Sequence, residues 1–216
     1  MLSDVVKKDK STKIIEDCIR KDSKAGINDL NSEVFYSSDI TKCDRRIIYK
    51  AIGTPHINNV MKELHDEYIV KKWVQIFNDL KGIEVVDTGT LVADHNYNLT
   101  GKIHLVINVD GAVAVIMIQE VSSELFKKGT SRNHIINLMS QMWMAEVNDG
   151  FLVYENVDDK DFSIYHVTHN ISVLNSVKSK CKDLQEKKML GILPERKYED
   201  ISNDECSSCE FKAICW

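Results

Sequence analysis

Proline and glycine are scarce in this chain, which contains two prolines and nine glycines among its 216 residues. No stretch is rich enough in either residue to form a flexible or stiff linker, and no internal repeat is present. One main domain is therefore the simplest account of a chain of this length. We predict that this domain spans residues 36–216 and follows a helical or loose N-terminal extension over residues 1–35.

Long apolar runs are also missing. No segment approaches the roughly 18 consecutive apolar residues of a membrane span, so we expect no membrane partner. The first residues, MLSDVVKKDKSTK, lack the apolar core of a signal peptide. Six cysteines are too few for a secreted disulfide scaffold. These absences predict a cytoplasmic location, in the host cytoplasm or the virion if the chain is viral.

An excess of basic residues is absent as well, because the formal net charge is −5 and the pI is about 5.8. Affinity for duplex nucleic acid comes largely from neutralised phosphates, so this charge argues against a protein that coats DNA. It leaves room for a local basic groove. A hydrophobic content of 43% excludes bulk disorder.

The order of the sequence patterns predicts an α/β fold. Apolar spacing and turn residues indicate helices over 38–50 (capped by Ser38), 56–80, 131–147 and 171–190. Strand patterns occupy residues 83–93, 99–109, 112–121, 150–157 and 162–168. Helices and strands in this order predict a mixed sheet with helices on its faces.

Three of the six cysteines lie near the C-terminus, where Cys206, Cys209 and Cys215 form a C-x₂-C-x₅-C array. Tetrahedral zinc and iron–sulfur clusters both take four thiolates, so a fourth would come from elsewhere. The candidates are Cys18, Cys43 and Cys181, and Cys43 is preferred because it lies at the start of the domain. The alternative is that all are ordinary free thiols.

Cys43 belongs to the pattern C-x-R-x-x-x-Y, which ends at Tyr49. Together with the C-terminal array, this pattern resembles the iron–sulfur nucleases, which include the AddB nuclease domain, the CRISPR-associated RecB-like exonucleases and phage relatives. The resemblance implies a [4Fe–4S] cluster that closes the domain as a C-terminal clasp, with zinc as the alternative. The implied ligands are Cys43, Cys206, Cys209 and Cys215, and Cys18 and Cys181 are then buried bystanders.

The same resemblance implies the PD-(D/E)xK nuclease fold and a metal-dependent site. The matching positions are His65, Gly101, His104, Glu120 and Gln141. In this family, carboxylates and histidine hold divalent ions that activate water and stabilise the cleaved phosphate. We therefore predict His65, His104, Glu120 and Gln141 as catalytic candidates, and the first three as metal ligands.

Three departures from the family pattern suggest a degenerate site. His104 stands where an aspartate is expected, Ser122 where the lysine is expected, and Ala145 where a tyrosine is expected. The remaining His/His/Glu set suits Mn²⁺, Fe²⁺ or Zn²⁺ better than Mg²⁺, which prefers oxygen ligands. A vacant site is the alternative, with His65 as a polar helix residue and His104 as a core histidine.

The turn at Asn108–Gly111 bears on whether the site forms. A three-residue bulged loop would pair residues whose numbers sum to 220 and place His104 and Glu120 on one face. A two-residue Asp110–Gly111 loop would shift this sum to 221 and separate them. We expect the bulged loop, because asparagine at the start and glycine at the end suit it.

Three functions follow from these patterns. The first is a DNA-binding or assembly component in replication, recombination or viral assembly, which retains the cluster but does not cut. The second is an active exonuclease on single-stranded DNA or DNA ends, with a reorganised His/His/Glu site. The third is a purely structural subunit of a larger complex, which would be a viral one if the chain is viral.

Overall fold

The computed structural model of the protein describes residues 34–54 and 60–216, with the backbone alone for residues 60–65. Residues 1–33 of the predicted N-terminal extension and residues 56–59 of the second predicted helix lie outside these residues. Among the described helices, none combines the length and the apolar character needed to cross a membrane.

The described chain contains seven helices and eight strands. The helices are α1 (Asp44–Ala51), α2 (Val60–Asn78), α3 (Ser123–Lys128), α4 (Arg132–Met144), α5 (Ile171–Met189), α6 (Asp204–Ser207) and α7 (Lys212–Cys215). The strands are β1 (Phe35–Tyr36), β2 (Ile83–Thr88), β3 (Leu91–Asp94), β4 (Leu99–Lys102), β5 (Leu105–Val109), β6 (Ala112–Val121), β7 (Asp149–Asn156) and β8 (Phe162–Thr168).

Two mixed sheets form, with strand orders β2-β5-β6-β7-β8 and β1-β4-β3. In the larger sheet β6 and β7 are parallel and the other neighbours are antiparallel, whereas in the smaller sheet β1 runs parallel to β4. The predicted α/β class with a mixed sheet and flanking helices is therefore confirmed.

Helices cover both faces of the larger sheet. On one face, Trp73 and Phe77 of α2 pack on the even-numbered residues of β6, such as Ile116. On the other face, α4 and the start of α5 bury the odd-numbered residues of β6, such as Met117. Apolar residues occur at both the odd-numbered and the even-numbered positions of β6 because helices cover both faces of this strand.

A third cluster of buried side chains joins the smaller sheet to the rest of the domain. Phe35 of β1 and Ile47 of α1 pack there against Leu184 of α5. Cys181 lies in this cluster and is fully buried, as expected for a bystander thiol. Burial raises the pKa of its thiol to about 12.

The first described helix begins later than predicted. Residues 37–42 form turns in which the amides of Asp39 and Lys42 donate to the carbonyl groups of Tyr36 and Asp39. These turns bury Ile40, and the helix begins at Asp44 with Cys43 as its N-cap residue. Ser38 is therefore not the cap, because the chain turns out of β1 before it can enter a helix.

The strands predicted over 83–93 and 99–109 are each interrupted. Gly89 donates to the carbonyl of His104, and Ile103 donates to the carbonyl of Thr90, where both strands leave the larger sheet for the smaller one. The two sheets therefore meet at one bent ribbon. Gly89 supports the bend because it takes a φ of +70°.

The prediction of a three-residue bulged loop between β5 and β6 is wrong. Val109 pairs with Ala112, so the loop consists of Asp110 and Gly111 and the paired residue numbers sum to 221. Both loop residues have positive φ, at 50° and 91°, as a type I′ turn requires. This turn matches the twist of the strands, and the Asn108 side chain accepts a hydrogen bond from the Gly111 amide.

Candidate functional site

A polar cleft of about 760 Å³ lies where the bent ribbon meets α2, α4 and the turns after β1. Four basic and three acidic side chains line it, namely Lys42, Arg46, Lys50, Lys102, Asp39, Asp66 and Glu120. Asp39 is paired with Lys50 and Arg46. The cleft also contains His104, His134 and Gln141, so the structure brings three of the four predicted catalytic residues together.

His104 reaches the cleft despite the register that was expected to exclude it. The ribbon bends at residues 103–104, so this residue does not follow the alternation of β5. Its Nδ1 accepts a hydrogen bond from the Ile118 amide at 2.9 Å, beyond the last β5–β6 pair. Burial lowers the pKa of His104, Asp66 opposes this shift and Lys102 adds to it. The ring is therefore neutral at pH 7.

Glu120 lies near the end of β6, and Lys160 from the β7–β8 connection reaches it. The Lys160 Nζ is 3.0 Å from Glu120 Oε1 and 3.8 Å from an oxygen of Glu155. Glu155 is paired with Glu120 in register on the parallel strand β7. It is buried and accepts from Lys72 Nζ at 2.7 Å and from Trp73 Nε1 at 3.0 Å. Two carboxylates and two lysines thus meet at one end of these strands.

Gln141 lies on α4 and is 3% exposed. Its Nε2 donates to the Lys102 carbonyl at 3.1 Å, whereas its Oε1 is buried and has no hydrogen-bond partner in the part of the chain described. A Cβ atom on Gly101 would lie 2.6 Å from Ser37 Oγ and 3.3 Å from Gln141 Cγ. Glycine is therefore required at the matched position because helix and turn approach the strand closely.

His134 is a cleft residue that the sequence prediction missed. Its Nδ1 is 2.7 Å from the hydroxyl of Tyr154, which also accepts a hydrogen bond from the Ser131 amide. Burial, and to a smaller extent Lys42, lowers the pKa of His134. His134, Asn137 and Gln141 have spacings of three and four residues, so they share one face of α4. Counting back from Gln141 by four and then three residues along the predicted helix could have identified His134.

The positions that depart from the nuclease pattern have local structural roles. Ser122 is the N-cap of α3, where its hydroxyl accepts from the Leu125 amide. Ala145 is the C-cap of α4. The side chain of His65 lies outside the described residues, although its backbone belongs to α2. Its predicted part in the site therefore stays a prediction.

The four cysteines of the predicted cluster line a second, smaller cavity of about 30 Å³. They are Cys43, Cys206, Cys209 and Cys215. Burial, followed by the neighbouring thiols of Cys43 and Cys215, raises the pKa of Cys206. Burial also raises the pKa of Cys209. Within residues 34–54 and 66–216, no three histidine, cysteine or acidic side chains are close enough to hold a metal ion as they stand. We call this region the cysteine corner.

Direct contacts between distant segments hold the cysteine corner together. The Cys43 amide donates to Glu205 Oε1 at 2.9 Å, and Glu205 also accepts from Lys197 and Tyr198. Arg45 donates to the Pro194 carbonyl at 2.8 Å, and its Nη1 is 3.9 Å from Cys215 Sγ. These polar contacts fasten the tail to the start of α1.

No protein-family model and no curated protein matches this chain. Solved structures do match. The crystal structure of SSO0001 shares 15% identity over 96% of both chains, with a TM-score of 0.57. The alkaline exonuclease of Laribacter hongkongensis shares 13% identity over 82% of this chain and 93% of its own, with a TM-score of 0.58. Its complex with dAMP shares 14% over 74% and 90%, with a TM-score of 0.57.

A phage-related exonuclease from Haemophilus somnus 129PT also matches, at 9% identity over 76% of this chain and 96% of its own, with a TM-score of 0.56. At identities this low the likeness shows the fold alone. The protein therefore has the mixed α/β fold of phage- and alkaline-exonuclease-like nucleases.

Proposed function

We propose that this protein binds a single DNA strand or a DNA end in the polar cleft, without efficient magnesium-dependent cleavage, and carries a [4Fe–4S] cluster in the cysteine corner. The observation that carries the proposal is the cleft itself. It gathers Gly101, His104, Glu120 and Gln141 in a fold shared with exonucleases, one of which has been solved with dAMP.

The lining of the cleft suits a short stretch of nucleic acid. Among the described side chains of the lining, basic ones exceed acidic ones by one, although the whole chain is acidic. A local positive balance favours phosphate contacts, and a net negative protein does not coat long duplexes. The buried, unpartnered Oε1 of Gln141 offers an acceptor to a sugar hydroxyl or a base amino group.

The positions that normally carry cleavage chemistry support weak catalysis. The lysine of the nuclease pattern would orient the nucleophile and offset developing negative charge. Ser122 supplies no cation, and its hydroxyl is engaged as a helix cap. His104 replaces a carboxylate by a neutral ring, so a hard Mg²⁺ ion loses an oxygen ligand.

The donor set of the cysteine corner fits a four-thiolate cofactor. Cys43, Cys206, Cys209 and Cys215 would hold a [4Fe–4S] cluster, or zinc as the alternative. The raised thiol pKa of Cys206 reflects partial burial and nearby thiols. A bound cation would reverse this effect, because it favours thiolates. Once bound, the cofactor would tie the start of α1 to the C-terminal tail.

One observation favours the second candidate function, an active exonuclease. Lys160 places a cation 3.0 Å from Glu120, although it comes from a different element than the missing lysine. If Lys160 performs the role left vacant at Ser122, cleavage would depend on both residues. The metal ion would then be coordinated by oxygen ligands such as Glu120 and Asp66.

Two assays on the anaerobically purified full chain test the proposal. Fluorescence anisotropy with a labelled single-stranded oligonucleotide measures binding, and gel electrophoresis of the same oligonucleotide with Mg²⁺ or Mn²⁺ measures cleavage. We expect binding that weakens with salt and no cleavage. Lys102→Ala should weaken binding and reduce the salt slope by about one. Lys81→Ala, outside the cleft, is the matched control and should change neither.

Each result decides between the candidates. Cleavage that is lost in both Glu120→Gln and Lys160→Ala would establish the active exonuclease instead. Absence of DNA binding would refute the proposal and favour a structural subunit. An absorption spectrum with iron and zinc analysis tests the cofactor separately: about four irons support the cluster, and one zinc without iron overturns it.

A further inference from the structure

We propose that His104 and His134 form a pair of neutral Nε2–H donors that bind a phosphodiester group in the cleft, rather than ligands for a metal ion. This inference rests on the proposed DNA-binding function and names the groups that contact the strand. It assigns a role to His134, and it gives His104 a role different from the one that the nuclease pattern implies.

The tautomer of His134 follows from the hydrogen bonds of Tyr154. The buried Tyr154 hydroxyl accepts from the Ser131 amide at 2.9 Å, and its remaining partner among the described residues is His134 Nδ1, at 2.7 Å. Burial raises the pKa of Tyr154, so the hydroxyl keeps its proton. That proton must point at Nδ1, because a buried O–H without an acceptor is costly. A neutral His134 therefore carries its own proton on Nε2.

The tautomer of His104 follows in the same way. Its Nδ1 is 2.9 Å from the Ile118 amide, and a backbone N–H can only donate. Nδ1 must therefore be unprotonated, and the proton of the neutral ring lies on Nε2.

This arrangement is the reverse of a metal site. A histidine that binds a metal presents one unprotonated nitrogen to the ion and usually donates its other N–H to a carbonyl or carboxylate. Here the nitrogen buried in the protein accepts, so the nitrogen left for the cleft donates. A metal ion at Nε2 of His104 would need its ring proton on Nδ1, against the N–H of Ile118.

Both histidines line the cleft, and Nε2 of neither ring is among the buried polar atoms that lack a partner in the described part of the chain. Lys102 lines the same cleft and adds a positive charge near His104. Anionic oxygens are the strongest acceptors for such N–H groups. Asp66 and Glu120 also line the cleft, so the phosphate would lie on the histidine and lysine side.

Histidine-detected ¹⁵N–¹H long-range correlation NMR on the full chain tests this inference. The spectrum distinguishes the two tautomers, and His104→Gln and His134→Gln assign the signals. We expect the Nε2–H tautomer for both rings and a shift of both signals on addition of a single-stranded oligonucleotide. His166, whose Nε2 is 2.7 Å from Asp149 outside the cleft, is the control ring and should not shift.

Tyr154→Phe provides a second measurement because it removes the hydroxyl that fixes the His134 tautomer. We expect a mixture of His134 tautomers and DNA affinity reduced about two- to tenfold, the effect of one hydrogen bond. Tyr165→Phe is the matched control: its ring contacts Tyr154 but does not line the cleft, so affinity should be unchanged.

Two results would overturn the inference. One is the Nδ1–H tautomer, or selective broadening of the His104 signals by stoichiometric Mn²⁺, which would identify a metal ligand. The other is oligonucleotide binding by the unaltered protein without any change at His104 and His134, which would leave the proposed function intact. Absence of oligonucleotide binding would refute both proposals together.

Discussion

The cysteine corner and the cleft are neighbours, and Arg46 lines both. They differ in how much of the expected chemistry remains. The cysteine corner contains all four thiols that the resemblance implies, although they come from positions 43 and 206–215. In the nuclease pattern that the resemblance implies, His104, Ser122 and Ala145 stand where an aspartate, a lysine and a tyrosine are expected. The cysteine corner thus has the four side chains that the resemblance implies, whereas the nuclease pattern lacks three of its own.

The largest effect should come from removing a thiol in the cysteine corner. If the corner holds a metal cofactor, Cys209→Ala should abolish stoichiometric metal and lower the free energy of unfolding by on the order of 5 kcal/mol, because metal affinity is coupled to folding. Metal analysis and chemical denaturation measure these changes.

Cys181→Ala is the matched control for this substitution. Cys181 is buried in the core among apolar side chains, so its loss should cost stability but retain the metal. Equal metal content in wild type and Cys209→Ala would contradict the prediction. It would also remove the contrast between the two regions.

The next largest effect should come from the carboxylate beside the cleft. Glu155→Leu would leave Trp73 Nε1 buried without an acceptor and Lys72 without its partner. We expect a loss of about 3 kcal/mol, measured by urea denaturation, because a buried polar group loses its hydrogen bonds. Glu124→Ala, which removes an exposed ion pair with Lys128, should cost far less stability, because solvent screens that pair. Similar losses in both variants would show that the buried network contributes little.

A smaller effect should follow from Gly101→Ala. The added methyl group would lie 2.6 Å from Ser37 Oγ and 3.1 Å from Met144 Cε, so the side chains of Ser37 and Met144 must move away from β4. We expect a loss of about 1–3 kcal/mol, as for other overpacked positions, together with weaker oligonucleotide binding. Unchanged thermal stability and binding would show that the cleft tolerates a wider spacing.

The smallest effect should be the pH dependence of stability. Burial lowers the pKa of His104 and His134 below the ordinary value of 6.5. The unfolded chain therefore binds more protons than the folded protein just below pH 6.5, so stability falls as the pH drops through that range. Denaturation at pH 7.5 and 5.5 measures the loss. A double His104→Gln/His134→Gln variant should lose less over the same interval, and an unchanged loss would assign it to other groups.

Much of the fold could be predicted from local patterns. The β6 strand and the long helix α5 were predicted within one residue, because runs of apolar residues and helical spacing are properties of the chain itself. The bend in the ribbon at residues 89–90 and 103–104 could not be predicted from local patterns, since hydrogen bonds between distant segments create it. The loop at Asp110–Gly111 was mispredicted because two loop geometries fit the same residues, and strand twist selects between them.

The sequence by itself determined the α/β class, and the spacing of Cys206, Cys209 and Cys215 marked them as one array, since short spacing lets thiols share one ion. Only the tertiary structure decided that His104 and Glu120 line one cleft despite the shifted register, and that His134 joins them. The orientation of an imidazole depends on which donor or acceptor lies against each nitrogen. Ile118 and Tyr154 take those places only after the sheet and α4 have packed.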